Sequence, residues 1–319
     1  MPAMPARTVA PGTGAVDDLR ALVRQGRVRL ALSMLRALEA EDVAPAADRA
    51  AARTLLLECH LAQGDLDAAR ALAPAVALDD RAEARHALAE LAAATLDPDV
   101  AVERYLAVAE APGADPEALR VPWRTGAALA MLRAGRRAEA FALARTQHAT
   151  TLAHGSPADL ALALRVLATT KPDGLRAPDL RVALALLDGV EAGRLRAQLQ
   201  TDLAGLLLLV GEQDEALVLL RSAEEYAAAE DLWPLLSRGR RLLERMGEAP
   251  RRRQSEVLAV LTAGERRVAL LALEGRSNRS VAEQLGVSVK AVEGHLSKIY
   301  RKLDVTSRPT LVASFAASV

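Results

Sequence analysis

The chain has few of the residues on which several classes of protein depend. Of its 319 residues only one is cysteine, Cys59, so no disulfide can form within one chain. Lysine is scarce, with none before Lys171, and no glycine is followed by lysine. A phosphate-binding loop needs the dipeptide Gly-Lys, so ATP binding through such a loop is excluded.

Long apolar segments are also missing. No run of about 20 apolar residues is present to span a membrane. Residues 1–14 are rich in proline, alanine and glycine and lack the apolar core of a signal peptide. We therefore expect a cytoplasmic protein that does not enter membranes. No Ser/His/Asp set, carboxylate pair or metal-ligand spacing is visible, so we predict no enzyme activity, no cofactor and no metal.

The neutral net charge of the chain conceals two oppositely charged parts. Residues 251–319 contain 12 Lys and Arg against 6 Asp and Glu, whereas residues 1–250 contain 29 against 35. A net charge of +6 on a short C-terminal part suits nucleic acid, and −6 on the longer part does not. Arg251, Arg252 and Arg253 supply half of the C-terminal excess and either follow phosphates or solvate a linker.

Four glycines in the acidic part each lie between two amphipathic stretches and precede an alanine by five residues. Their separations of 38, 71 and 76 residues equal one, two and two periods of roughly 36 to 38 residues. We therefore predict a stack of helical hairpins that presents a concave face, with each alanine allowing close helix packing. The spacing resembles that of tetratricopeptide repeats. The four pairs are Gly26 with Ala31, Gly64 with Ala69, Gly135 with Ala140, and Gly211 with Ala216.

The C-terminal part contains the signals of three short helices. Thr262 and Glu265 form a capping box that predicts a helix from Ala263 to Glu274. Ser277 or Asn278 caps a second helix, which Gly286 ends. This order of two helices and a tight turn, followed by a third helix, is typical of a helix-turn-helix.

The third helix, capped by Ser288, has one apolar face and one polar face. Val292, Leu296, Ile299 and Leu303 recur at intervals of four, three and four residues, which predicts a buried stripe. A helix with a polar opposite face can enter the major groove of DNA. That face contains Lys290, Glu293, Gly294, Ser297, Lys298 and Arg301.

These residues together resemble the LuxR-type DNA-binding domain of bacterial transcription regulators. The landmarks are Leu-Thr-x-x-Glu from Leu261, Gly-x-Ser-Asn from Gly275, the Ser288 to His295 segment, Ile-x-x-Lys-Leu from Ile299, and Ser307-Arg308. Combined with a repeat region, the chain resembles the C-terminal part of large ATP-binding LuxR-type regulators, although their ATPase module is missing.

The resemblance implies a role for each matching position. Base-edge contacts fall on Glu293, Gly294 and Ser297, and Arg301 and Arg308 complete the DNA-binding set. Ala291 replaces the usual threonine of the family. The phosphate contacts fall on Ser277, Asn278, Ser288, Lys290, Lys298 and Lys302.

The expected fold is all-α, a tetratricopeptide-like array followed by a four-helix LuxR-type helix-turn-helix domain. We predict a disordered tail over 1–16, the array over 17–246, a linker over 247–258 and the DNA-binding domain over 259–319. A last helix from Arg308 to Ala316 either pairs with its copy in a second subunit or packs only within its own chain.

The function implied is a transcription regulator, more often an activator than a repressor in the resembled family. Its expected partners are double-stranded promoter DNA, RNA polymerase, a second copy of the chain, and a protein, peptide or small molecule sensed by the array. The alternative is a helical-repeat scaffold whose DNA-binding domain is weakened and mostly non-specific, because Glu293 and Gly294 occupy base-reading positions.

Overall fold

The computed structural model describes residues 15–40, 45–112, 121–172, 175–249, 261–303 and 305–316, and within these all regular structure is α-helical. The chain divides into two compact units, Met1–Gly247 and Glu248–Val319, which are described separately. Most of the tail and linker predicted from sequence, residues 1–14 and 250–258, lies outside the described residues. In the part that is described, no helix combines the length and apolarity needed to cross a membrane.

The first unit contains thirteen described helices, most of them joined by short turns. They are α1 (Ala15–Gln25), α2 (Val28–Ala40), α3 (Ala46–Gln63), α4 (Leu66–Val76), α5 (Ala82–Thr95), α6 (Pro98–Leu106), α7 (Trp123–Arg133), α8 (Arg137–His154), α9 (Pro157–Thr170), α10 (Ala177–Leu186), α11 (Gly193–Leu209), α12 (Gln213–Ala229) and α13 (Trp233–Arg245).

Consecutive helices pair as hairpins, as the glycine spacing predicts. Gly26, Gly64, Gly135 and Gly211 each connect the two helices of a pair and have φ between +79° and +86°. Glycine adopts this left-handed conformation without the steric cost of a Cβ atom. The alanine five residues after each glycine is fully buried, which allows the paired helices to approach closely. The array of hairpins is confirmed, while its tetratricopeptide character stays a prediction.

The hairpins are arranged in two layers. The first helices of the pairs contact one another along the chain, from α1 to α3, then α5, α7, α9 and α11, and form the inner layer. The second helices cover the outside. Small residues dominate the shared core, where Ala52, Ala87, Ala127 and Ala161 are fully buried. Alanine at these positions lets the helix axes lie close together, so few aromatic side chains are needed to fill the space between the helices.

The array closes on itself, which goes beyond the concave face expected from sequence. Buried residues of α1 to α3 share one hydrophobic cluster with residues of α12 and α13. The Tyr226 hydroxyl on α12 donates a hydrogen bond of 2.6 Å to the Gly26 carbonyl. The backbone N–H of Arg29 donates to Glu230 at 2.9 Å, and its side chain forms an ion pair of 3.1 Å with Asp231.

Two glycines make this closure sterically possible. A Cβ atom on Gly26 would lie 2.2 Å from the Tyr226 hydroxyl and 2.6 Å from the backbone nitrogen of Arg194. A Cβ atom on Gly193 would lie 2.4 Å from the Tyr226 ring. The tyrosine therefore fits only because both positions lack side chains. Closure leaves a central cavity of about 430 Å³ surrounded by the inner helices.

The second unit has four described helices: α14 (Ala263–Leu273), α15 (Asn278–Leu285), α16 (Val289–Leu303) and α17 (Arg308–Ala316). Helix α14 is one residue shorter than predicted, because Glu274 is its C-cap and Gly275 turns the chain with φ of +80°. One hydrophobic cluster joins all four helices around Val268, Val281, Val292 and Leu311.

Substitution of Gly26 tests the closure of the array. Gly26→Ala and Gly211→Ala introduce the same strain, because both residues have a positive φ (+86° and +82°). Strain alone costs about 1–2 kcal/mol. Nothing lies within 4 Å of the Cβ position at Gly211, whereas Gly26 faces Tyr226 and Arg194. We expect Gly26→Ala to cost about 1–3 kcal/mol more in urea denaturation. Equal losses for the two variants would contradict the closed arrangement.

Candidate nucleic-acid interface

The helix-turn-helix begins with a well-anchored first helix. The Thr262 hydroxyl accepts the N–H of Glu265 at 3.3 Å, and the Glu265 carboxylate accepts the N–H of Thr262 at 2.8 Å. This is the capping box predicted from sequence. The same carboxylate accepts a 2.6 Å hydrogen bond from Lys302 near the end of α16. Helices α14 and α16 are thereby joined by an ion pair at the capping box.

Glu265 is 4 % exposed, so its charge must be stabilised by these partners. The hydrogen bonds from Lys302 and from the Thr262 backbone lower the pKa of Glu265 from 4.5 to about 2. The carboxylate therefore remains ionised throughout the neutral and mildly acidic range. Lys302 was predicted from the resemblance to contact phosphate, and in this structure its ammonium group is engaged within the domain.

The second helix is capped as predicted and ends in a tight turn. The Ser277 hydroxyl accepts the N–H of Ser280 at 3.2 Å and is the N-cap of α15. Gly286 follows the helix with φ of +64°, and the chain then reaches Ser288. The Ser288 hydroxyl accepts the N–H of Ala291 at 3.2 Å, which caps the first turn of α16. The two serine caps therefore set where α15 and α16 begin, and Gly286 sets where α15 ends.

Helix α16 has the two faces that its sequence predicts. Val292 and Ile299 are fully buried, and Leu296 is 6 % exposed. The opposite face is exposed, and it begins near Ser288, which is itself exposed at the N-terminal end of the helix. Its exposed residues from the predicted DNA-binding set are Lys290, Glu293, Gly294, Ser297, Lys298 and Arg301.

The charges on this exposed face are not neutralised by the protein. Among the described residues, Lys290, Lys298 and Arg301 form no ion pair, and Glu293 forms none either. On the neighbouring helix α15, by contrast, the cation Arg279 is paired with Glu283 at 3.3 Å. Helix α16 therefore presents three available cations, one carboxylate and two small residues in one continuous surface, which we call the α16 polar face.

Two residues of the predicted DNA-binding set, Arg308 and Asn278, have contacts within the domain. Arg308, at the start of α17, donates to the carbonyl oxygens of Ala272, at 3.0 Å, and Arg276. It also donates to the Asn278 side chain at 3.4 Å. Arg308 is half-buried and fastens α17 to the ends of α14 and α15. Sequence reasoning missed this role, because the carbonyl oxygens it contacts lie more than 30 residues away and carry no side-chain signal.

His295 occupies the edge of α16 that faces α14. It is half-buried, and a Cβ atom on Gly264 would lie 3.6 Å from its ring, within ordinary contact distance. Across the described ranges, no cluster of histidine, cysteine and acidic residues could hold a metal ion. His295 thus lies against α14 and takes part in the packing of these two helices.

Comparison with known proteins identifies this unit. Residues 253–315 match the family described as "Bacterial regulatory proteins, luxR family". The chain is 38% identical over 60 residues to the monoamine regulon transcriptional regulator of Klebsiella aerogenes, covering 19% of this chain and 26% of that protein. It is 41% identical over 66 residues to an HTH-type transcriptional regulator of Mycobacterium bovis, covering 21% and 8%.

A third relative is the oxygen regulatory protein NreC of Staphylococcus haemolyticus, 43% identical over 53 residues, covering 17% of this chain and 24% of that protein. The chain thus spans about a quarter or less of the length of these curated relatives. The fold is all-α with a C-terminal LuxR-type helix-turn-helix domain, as the sequence resemblance predicts. The array lies outside the matched residues.

The ion pair between Glu265 and Lys302 predicts a pH-dependent stability. The pKa of Glu265 is lower in the folded state, so the carboxylate stabilises the domain above pH 4.5, and this contribution is lost as the pH falls from about 4.5 to about 2. We expect Glu265→Gln to accelerate hydrogen exchange in α14 and α16 strongly at pH 7 and by a clearly smaller factor near pH 3, where part of the contribution has already been lost.

Glu274→Gln is the matched control, because Glu274 forms an exposed ion pair with Arg276 at 3.0 Å. Such pairs contribute little to stability. We expect its exchange rates to match those of the unsubstituted protein at both pH values. An equal effect of Glu265→Gln at pH 7 and pH 3 would show that the charge of Glu265 is not what stabilises the domain.

Proposed function

We propose that the protein is a DNA-binding transcription regulator that places α16 in the major groove of promoter DNA. The α16 polar face carries this proposal, because its three cations form no ion pair with any described residue, while the buried stripe behind it fixes the helix. An α-helix fits the major groove, where base edges present distinct patterns of donors and acceptors. The regulator names of the relatives matched by this domain support the same function.

Phosphate contacts are proposed for the serine caps of α15 and α16, for polar residues of these two helices and for Arg308 at the start of α17. Ser277 and Ser288 use their oxygens as acceptors in helix caps, so their hydroxyl hydrogens remain available to phosphate oxygens. Lys290 and Lys298 supply positive charge without competing partners. Asn278, Arg301, Lys302 and Arg308 complete the proposed set, although Lys302 and Arg308 also hold the domain together.

Base reading is proposed for three residues on the α16 polar face. Glu293 can accept a hydrogen bond from the amino group of cytosine, and Ser297 can bond to several base edges. Gly294 has no atom within 4 Å of its Cβ position, so the helix backbone at this point is open to a close partner. This small set implies that only a few base pairs in each half-site are read directly.

The remaining parts of the proposal concern assembly and control. We propose that two copies bind two half-sites and that α17 contributes to their contact, because Val312 on this helix is 40% exposed beside the buried Leu311. The regulator would act in the cytoplasm, by recruiting RNA polymerase as an activator. The helical array would receive the signal that controls DNA binding.

Selection of bound sequences from random duplex DNA tests the proposed function. The full-length protein should recover a two-fold symmetric motif, and the double variant Ser297→Ala with Lys298→Ala should not. Arg137→Ala, which removes an exposed cation from the array, is the control and should recover the same motif. Recovery of an unchanged motif by the double variant would exclude α16 as the reading helix.

Loss of Lys298 alone should change the salt dependence of DNA binding. Each phosphate contact contributes about −0.9 to the slope of log K against log salt concentration. We expect Lys298→Ala to weaken binding to all duplexes by a similar factor and to reduce the slope by about 1 for each subunit. Titrations between 50 and 200 mM salt measure the slope. An unchanged slope would show that Lys298 does not contact phosphate.

Glu293 distinguishes sequence reading from unspecific attraction. If Glu293 accepts a hydrogen bond from cytosine, Glu293→Gln should lose about 1–3 kcal/mol of discrimination at one base pair. The measurement is the affinity of the selected site and of its single-base variants for both proteins. A uniform rise in affinity for every duplex would mean instead that the carboxylate only repels phosphates.

A uniform rise in affinity on Glu293→Gln would favour the alternative function, a helical-repeat scaffold with a weak and mostly non-specific DNA-binding domain. The observation behind this alternative is that the base-reading positions hold one acid and two small residues. A scaffold should keep its protein partners when Ser297 and Lys298 are replaced by alanine. A regulator should lose promoter occupancy in the same variant.

A further inference from the structure

The central cavity of the array is enclosed by its inner layer alone. Its lining residues come from the six helices α1, α3, α5, α7, α9 and α11 and from the turns before them, and the described helices of the outer layer contribute none. Its volume of about 430 Å³ lies within the range of small-molecule sites in proteins. The closed arrangement of the array places these six helices around one partly open cavity.

Glu58 is a carboxylate of the cavity lining that lacks a partner among the described residues. Glu58, on α3, accepts no hydrogen bond and forms no ion pair within the described part of the chain. Burial, followed by the nearby charge of Glu90, raises the pKa of Glu58 to about 7. Glu58 is half-buried, and a carboxylate withdrawn from water without a partner is costly, so a native structure retains one where it has a use.

Glu90, on α5, also lines the cavity, and only part of its hydrogen-bonding capacity is used within the protein. It accepts a 2.5 Å hydrogen bond from the buried Tyr105 hydroxyl. The His86 Nε2 atom lies 3.8 Å from it, and burial lowers the pKa of His86, so this ring is neutral at pH 7. The two glutamates repel each other across the cavity, and a cationic group between them would relieve the repulsion.

A partner-free cation faces the same cavity. Arg194, in the first turn of α11, lies close enough to lower the pKa of Glu58, yet it forms no ion pair or hydrogen bond with a described side chain. The N-terminal end of α11 begins after Ala192 and has no side-chain cap. The guanidinium of Arg194, which lines the cavity, favours an anion at this end of it.

Three other arginines of the lining are neutralised by ion pairs within the protein. Arg165 is paired with Asp202 at 2.7 Å, Arg81 with Asp79 at 2.6 Å, and Arg20 with Asp17 at 2.6 Å. Glu58 and Arg194 are opposite charges that line the same cavity and form no ion pair with each other. The wall around them is apolar, with Leu55, Leu129, Leu162 and Leu195 among its residues.

We propose that this cavity binds a small zwitterion, an amino acid or short peptide, whose ammonium group lies between Glu58 and Glu90 and whose carboxylate lies against Arg194. The apolar wall receives the side chain of the ligand. This inference specifies the signal in the function proposed above and depends on that proposal only for its regulatory meaning, because binding can be measured without DNA.

The probes are the twenty free amino acids and a set of Ala-X and X-Ala dipeptides, tested with the full-length protein by thermal shift and calorimetry. We expect at least one probe to bind and to raise the unfolding temperature. Its N-acetylated and C-amidated forms should each bind at least tenfold more weakly, because each lacks one of the two charges. Binding by none of the probes, or equal binding of the blocked forms, would overturn the proposal.

Substitutions in the cavity have matched controls on the outer surface. Glu58→Gln and Arg194→Gln should each weaken binding at least tenfold, and Arg194→Lys should retain part of it. Glu225→Gln and Arg137→Gln, at exposed positions, should bind as the unsubstituted protein does. Glu58→Gln removes a repulsion, so its unfolding temperature without ligand should not fall. Unchanged binding in both cavity variants would overturn the proposal.

Proton release gives an independent readout. The carboxyl group of Glu58, surrounded by Glu90, Arg194, Arg20 and Arg24, has a pKa of about 7 and is partly protonated at that pH. An ammonium group favours the ionised form, so binding should release part of a proton, measured by calorimetry in buffers of different ionisation enthalpy. Glu58→Gln should abolish the release, and persistence of the release would contradict the placement of the ammonium group.

The failures of the two proposals are distinguishable. If no probe binds while random-DNA selection yields a motif, the cavity proposal fails and the regulator stands. If a probe binds and the blocked forms do not, but no motif is recovered with or without that probe, the cavity is a binding site and the DNA-reading function fails.

Discussion

The closure of the array depends on one tyrosine placed between two glycines. Tyr226 donates its hydroxyl hydrogen to the Gly26 carbonyl, and the missing side chains of Gly26 and Gly193 leave room for its ring. Most contacts in a helical solenoid join neighbouring repeats. Here a contact between the two ends converts a row of hairpins into an enclosed structure. Together with the hydrophobic cluster that α1 to α3 share with α12 and α13 and the contacts of Arg29, this hydrogen bond closes the array around the central cavity.

The C-terminal domain separates its charged residues into two groups by their position. Lys302 is bound to the nearly buried Glu265, and Arg308 to backbone carbonyl groups, so both stabilise the arrangement of the helices. Lys290, Lys298 and Arg301 all lie on α16 and form no ion pair with a described residue. The first group keeps α16 in a fixed orientation, and only a fixed helix can present the second group to a regular surface such as a duplex.

Local features could be predicted from the sequence and distant contacts could not. The Thr262 capping box, the turn glycines and the stripe of Val292 and Ile299 are visible within a few residues, so the helices of the C-terminal domain and the hairpins of the array were anticipated. The contact of Tyr226 with Gly26 and the pairing of Lys302 with Glu265 join residues 200 and 37 positions apart. No spacing in the sequence marks such pairs, and the cavity that depends on closure was equally hidden.

The separation of the closing residues also sets an order of events during synthesis. The hairpins of α1 to α10 can form as they leave the ribosome, because their contacts join neighbours in the chain. The Gly26 carbonyl, however, meets its partner only after Tyr226 has been synthesised. Until then the inner layer is an open row with its charged lining exposed to water. The cavity therefore comes into existence in one late step, and a chain truncated before α12 would have the walls of the cavity without the enclosure.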